Sequence, residues 1–160
     1  MIEIYTDGAS SGNPGKGGYG IIMILKGTTY EKSFSEGFRL TTNNRMELLA
    51  VIIALEKINK PNQEVEIYSD SKYVVNAINN KWIYGWEKKR FEKIKNPDLW
   101  IRFVKIYRQH RVTFHWVKGH HGHSYNEKAD KLATTAAKGD TLSIDIGYEK
   151  IISEKKNIFE

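Results

Sequence analysis

The sequence contains no cysteine. That excludes a disulfide framework and any zinc site built on thiolate. It also lacks a long apolar run. The longest, Leu48 to Leu55, falls far short of the roughly 20 residues that a membrane-spanning helix needs, and Ile21 to Leu25 is shorter still. The start, Met1-Ile2-Glu3-Ile4-Tyr5-Thr6-Asp7, has neither the basic residues nor the apolar stretch of a secretory leader. Internal repeats and low-complexity stretches are missing too. These absences predict a soluble, cytoplasmic protein with no membrane partner. What is present is ordinary globular composition: 160 residues, 40% hydrophobic and 28% charged, enough for one domain with a real core.

The net charge of +6 is unevenly placed. Between Lys81 and Arg111 stand ten Lys or Arg against three acids, so this segment carries the whole excess. Trp82, Trp86 and Trp100 fall in it as well. Basic residues interleaved with flat aromatics suit a phosphate backbone. The plainer explanation is a pair of amphipathic helices with buried tryptophans. The regional imbalance favours nucleic acid.

Apolar–polar alternation marks Ile2 to Asp7 as a strand, followed by a glycine-rich turn from Gly8 to Gly18. Tyr19 to Leu25 and Thr28 to Phe38 read as two more strands. Asn44 to Asn59 is apolar nearly all round, which predicts a largely buried helix. Val65 to Asp70 is a strand, and Ser71 to about Asn80 a helix. Helical pieces follow at about Trp82 to Lys93 and Asp98 to Gln109. Val112 to Val117 alternates as a strand, and Asn126 to Lys138 is a last helix. The tail from Gly139 is weakly patterned and is expected to be extended or to fray. This order predicts a mixed sheet with helices on its faces. If the first and fourth strands are parallel neighbours, Asp7 and Asp70 emerge at one sheet edge, where open sheets place their sites.

Taken singly, the acids have structural explanations. Asp7 could cap a turn and Asp70 the next helix. With Asn44 as N-cap, Glu47 would complete a capping box. Asp130 would complement a helix dipole. Four of the five histidines lie between His115 and His123, yet the spacing of His120, His121 and His123 fits no structural zinc pattern. Gly15-Lys16-Gly17-Gly18-Tyr19-Gly20 formally matches a dinucleotide fingerprint. A strand-like segment follows it where a dinucleotide site needs a helix, so that reading is rejected. The glycines are expected to let the backbone turn sharply and approach a ligand.

Five motifs in order resemble the type 1 ribonuclease H family over about residues 2 to 138. They are Tyr-Thr-Asp-Gly at 5–8, Gly-Asn-Pro-Gly at 12–15, Thr-Thr-Asn-Asn-Arg-Met-Glu at 41–47, Asp-Ser-Lys-Tyr-Val at 70–74, and Trp-Val-Lys-Gly-His at 116–120 continuing to Asp130. The resemblance implies an α/β fold, a ribonuclease H-like mixed five-stranded sheet with helices on both faces. It implies a catalytic domain over 1–138 and a C-terminal tail over 139–160, expected to be flexible. It implies an endonuclease that hydrolyses the RNA strand of RNA–DNA hybrids by two-metal-ion catalysis, leaving 5′-phosphate and 3′-hydroxyl ends, in a monomer.

Asp7, Glu47, Asp70 and Asp130 would hold two Mg²⁺, with Mn²⁺ as substitute. Such clustered acids would repel and keep raised pKa values until metal arrives. His120 would accept a proton or help release product, and Glu127 resembles an acid near the second metal. By the same resemblance Gly8, Ser10, Asn13, Asn43 and Lys72 contact the RNA strand. Asn13, Thr42 and Arg45 resemble a DNA-phosphate pocket, with Asn44 beside it. Trp82 lines the DNA groove, and Lys88, Lys89 and Arg90 add charge. Two departures stand out. Lys72 replaces the glutamine of the best-known bacterial members, and the basic segment around Lys88 to Lys95 is shorter.

Overall fold

Strand alternation and helical periodicity resolve into five strands and six helices in the computed structural model, which describes residues 1–118 and 124–158. β1 (Ile2–Ser10), β2 (Gly15–Leu25) and β3 (Glu31–Thr41) form an antiparallel meander. β4 (Glu64–Ser69) then pairs parallel to β1, and β5 (Arg111–Trp116) parallel to β4. The sheet order is β3-β2-β1-β4-β5. The helices are α1 (Asn43–Glu56), α2 (Lys72–Asn79), α3 (Trp82–Lys88), α4 (Pro97–Tyr107), α5 (Ser124–Ala137) and α6 (Ile146–Lys156). None is long and apolar enough to cross a membrane.

Side chains alternate across a strand, so neighbours in β2 report opposite faces. Gly17 meets Met46 of α1, whereas Gly18 and Gly20 meet α5. The mixed sheet therefore carries helices on both faces, as expected. Under α1 and α4 lies the main core, with Ile4, Ile21, Leu48, Ile52, Ile67, Trp100 and Phe103 buried. Ten residues of α1 are buried, which explains its apolar circumference.

The glycine-rich stretch is not one long turn. β1 runs on to Ser10 and β2 begins at Gly15. Within the short connection Gly12 has φ +128°, a conformation L side chains rarely adopt. The strand glycines serve packing instead. A Cβ at Gly20 or Gly37 would fall on the carbonyl oxygen of Ala129 or Ala136. Bare strand positions opposite Ala129, Ala133 and Ala137 let α5 lie close on the sheet.

The segment from Gly139 is extended at first, as expected, and then departs from expectation by forming a helix. Ser143 bridges to Phe38 of β3, and α6 follows with Asp145 as its N-cap. No residue of α6 is fully buried. Polar contacts hold the segment, chiefly Arg39–Glu149 and Arg45–Asp145. An element tied down by ion pairs leaves little apolar periodicity to read. α3 stops at Lys88, short of the expected Lys93, because Arg90, Phe91 and Lys93 adopt φ of 55°, 59° and 62°.

Candidate active site

β1 and β4 are parallel with Tyr5 opposite Tyr68. Extending that register by two positions sets Asp70 opposite Asp7. Asp7 also pairs with Gly20, whose face α5 covers. Asp7 thereby comes toward Asp130 on α5. Glu47 arrives from the other side, on α1. The approach depends on Gly8, where a Cβ would collide with the backbone of Met46 and Glu47. The Gly8 N–H donates to Asp7 Oδ1 at 3.0 Å and to Glu47 Oε1. The end of the parallel β1–β4 pairing and one bare glycine thus bring carboxylates together from residues 7, 47 and 70.

Asp7, Glu47 and Asp70 each offer an oxygen such that all three lie within 4.8 Å of one another. Asp130 stands outside that tight group but lines the same cleft of about 450 Å³, together with Gly8, Ser10, Asn43, Asn44 and Lys72. Burial is the first cause that pushes the Asp7 carboxyl up to about 8. The charges of Asp70 and Asp130 add to it, against a partly compensating hydrogen bond from Glu47. Glu47 is also raised well above its ordinary value, by burial first and then by Asp7 and Asp70. Desolvation thus exceeds the mutual repulsion expected from the sequence. Among the described residues no Lys or Arg forms an ion pair with Asp7, Glu47 or Asp70.

The structural explanations for the acids weaken in place. The N-cap of α1 is Thr42, which accepts from the Arg45 N–H, so Glu47 is the fifth helical residue and completes no capping box. Ser71, not Asp70, caps α2. Asp130 lies in the second turn of α5, past the reach of the dipole. An all-oxygen, uncompensated cluster fits a hard divalent cation. Beside it, Thr6 and Asn126 each bury an oxygen without a hydrogen-bond partner, and both line a small recess with Asp7, Asp70, Glu127 and Asp130.

Other expected residues are distributed as follows. Asn13 accepts from the Asn43 N–H at 3.2 Å, joining the turn to α1 beside Thr42. Arg45, expected in a phosphate pocket, is only 1% exposed. Its guanidinium donates to Asp98 and Asp145 at 2.7–2.9 Å and is spent inside the protein. Trp82 is exposed, as are Lys88, Lys89 and Arg90, on a surface apart from the acidic cleft. Trp100 is buried and Trp86 packs on it edge-to-face. The segment is therefore basic outside and aromatic largely inside. His120, with His121 and His123, lies outside the described residues. Sequence reasoning missed Ser71 and Tyr73 of the cleft lining and the role of Trp116, whose indole N–H donates to the Asp70 carbonyl at 3.2 Å.

The RNase H family model matches residues 1–138. A ribonuclease H of Desulforamulus reducens is 52% identical over 150 residues, covering 91% of this chain and 92% of that protein. This chain belongs to the ribonuclease H family. Membership makes it a hydrolase of the nuclease class. Its fold is similar to that of LC9-RNase H1, a type 1 RNase H with the type 2 active-site motif, at TM-score 0.79 and 33% identity over 93% of this chain and 79% of that one. It is also similar to LC11-RNase H1, solved in complex with an RNA/DNA hybrid, at TM-score 0.62 and 30% identity over 86% of this chain and 96% of that one. In this chain the acidic cleft lies just past the last β1–β4 pair, Tyr5 and Tyr68, within β1 and at the end of β4.

Proposed function

We propose that this ribonuclease H binds RNA–DNA hybrids and hydrolyses the RNA strand internally, leaving 5′-phosphate and 3′-hydroxyl ends. The observation that carries the reading is the cluster of Asp7, Glu47 and Asp70 at the sheet edge, without a compensating cation among the described residues. With Asp130 they would hold Mg²⁺, Mn²⁺ substituting, two ions being expected for the reaction. Bound there, divalent ions supply positive charge to the phosphate oxygens and to the attacking and leaving oxygens.

The chain's own groups do the rest. Gly8 holds Glu47 and Asp7 in one orientation through a shared N–H. Ser10, Asn43 and Asn44 line the cleft with neutral hydrogen-bonding groups suited to 2′-hydroxyls, the feature that separates RNA from DNA. Asn13 and Thr42 sit together at the start of α1, placed to receive a phosphate of the DNA strand. Arg45, expected in the same pocket, would contribute there through its backbone, because its guanidinium is engaged by Asp98 and Asp145. His120, carried over from the family motif, would accept a proton from the attacking water or help release product. Trp82, Lys88, Lys89 and Arg90 extend the hybrid surface. A monomeric, cytoplasmic enzyme belongs to the same proposal.

Cleavage of end-labelled RNA–DNA hybrid, RNA duplex and DNA duplex, with Mg²⁺ and with chelator, tests it. Internal cuts confined to the RNA of the hybrid, and lost in chelator, are expected. Equal cutting of DNA duplex, or cutting in chelator, would overturn the reading. Asp70→Asn should abolish cleavage while hybrid binding survives.

A further inference from the structure

Lys72 is placed against local preference. It is the first residue of α2, where the helix dipole disfavours a cation, and the first turn of α2 carries no acid. Among the described residues no carboxylate pairs with it. Its ammonium lies instead over the ring of Trp116, 5.0 Å from the centroid. A ring face attracts a cation while leaving its outer side free for a second ligand. Lys72 lines the acidic cleft, so its charge stands at the rim of the site that must receive a polyanion.

Trp116 has a second contact with the same corner. Its Nε1–H donates to the Asp70 carbonyl at 3.2 Å, and the next residue, Val117, donates from its N–H to the Ser69 carbonyl at 2.9 Å. Ser71 is fixed in turn by hydrogen bonds from Ser71 N–H to Ser69 Oγ and from Val74 N–H to Ser71 Oγ. The end of β5 thus pins the peptide that carries Asp70. Trp116 is nevertheless 44% exposed, which gives an ordinary core role little weight.

We propose that Trp116 is a positioning residue with two separable actions: its indole N–H fixes the Asp70 peptide, and its ring face holds the Lys72 ammonium at the cleft rim as a phosphate contact for the RNA strand. The proposal rests on the hybrid-cleaving reading. Cleavage by the unaltered protein tests that reading, and the variants below are compared only with a protein that cleaves.

The test measures hybrid binding in chelator against salt, and steady-state cleavage with Mg²⁺, for Lys72→Gln, Trp116→Phe and Trp116→Leu. Lys72→Gln removes one phosphate contact, so the slope of log affinity against log salt should flatten by about 0.9. Trp116→Leu should flatten it equally, and combining it with Lys72→Gln should flatten it no further. Trp116→Phe keeps a ring face and loses only the N–H, so its slope should match the unaltered protein while kcat falls several-fold. An unchanged slope in Lys72→Gln overturns the phosphate contact. An unchanged slope in Trp116→Leu overturns the holding role, and an undiminished kcat in Trp116→Phe overturns the anchoring of Asp70. Circular dichroism checks folding of each variant. Should Trp116→Leu fail to fold, Trp116→Gln repeats the measurement with a polar side chain at a half-exposed position.

Discussion

Removing the Asp7 carboxylate should stabilise the metal-free protein, increasingly as pH rises. Asp7 holds its proton to about 8 in the fold, whereas an unfolded aspartate loses it near about 3.9. Between those values the folded chain binds more protons than the unfolded chain, so stability falls with rising pH. The Asp7 contribution is fully present below about pH 4 and lost as pH passes through about 8. Each pH unit inside the window is worth about 1.4 kcal/mol, which sets a ceiling of about 4 kcal/mol at pH 7. The cleft opens to water and Glu47 shares the local proton, so a gain of about 1–3 kcal/mol is expected for Asp7→Asn at pH 7, rising toward pH 9 and vanishing near pH 4. Urea unfolding in chelator at pH 4, 7 and 9, followed by circular dichroism, measures this. Added Mg²⁺ should stabilise the unaltered protein and leave Asp7→Asn unmoved. A variant less stable than its parent at pH 9, or a difference that ignores pH, would refute the reasoning.

Gly20→Ala should cost about 1–3 kcal/mol or more, because the added methyl meets the carbonyl of Ala129 and must lift α5 from the sheet; urea unfolding gives the loss, and cleavage should drop with it as Asp130 moves. Asp145→Ala should cost about 3–5 kcal/mol, since it leaves the buried Arg45 guanidinium half paired and removes the acceptor of the Thr41 hydroxyl. The same unfolding assay reads that value, and a loss under 1 kcal/mol would show that the C-terminal segment is not fastened there. Lys89→Glu with Arg90→Glu should weaken hybrid binding and flatten its salt dependence while leaving kcat at saturating hybrid nearly unchanged, because both residues lie outside the acidic cleft; a titration at several salt concentrations decides it.

The elements were legible where a single period dominates. β1 and β4 alternate and each leads into an aspartate, and parallel pairing then brings Asp7 and Asp70 to one edge. The start of α1 was not legible to the residue. Thr42 and Asn44 are both good N-caps, and choosing Asn44 gives Glu47 a capping-box role that the actual cap at Thr42 removes. Two residues of offset thus separate a structural glutamate from one that points at Asp7. The glycines were misread for a related reason. A bare position serves a turn or a close approach equally well, and only the placement of α5 shows that Gly18 and Gly20 serve the second.

Arg45 and the C-terminal segment show the limit most clearly. An arginine beside two asparagines in a phosphate-binding motif reads as a phosphate ligand. Its partners, Asp98 and Asp145, lie 53 and 100 residues away and carry no local signal. The sequence alone determined the class of protein, the element order as far as α5 and the candidate acids, because periodicity, charge distribution and ordered motifs are local properties of the chain. The tertiary structure decided which acids meet within ligand distance, which cation is consumed internally, and that Trp116 connects Lys72 to the Asp70 peptide. Those are contacts between distant residues, and burial and distance exist only once the sheet has brought its strand ends together.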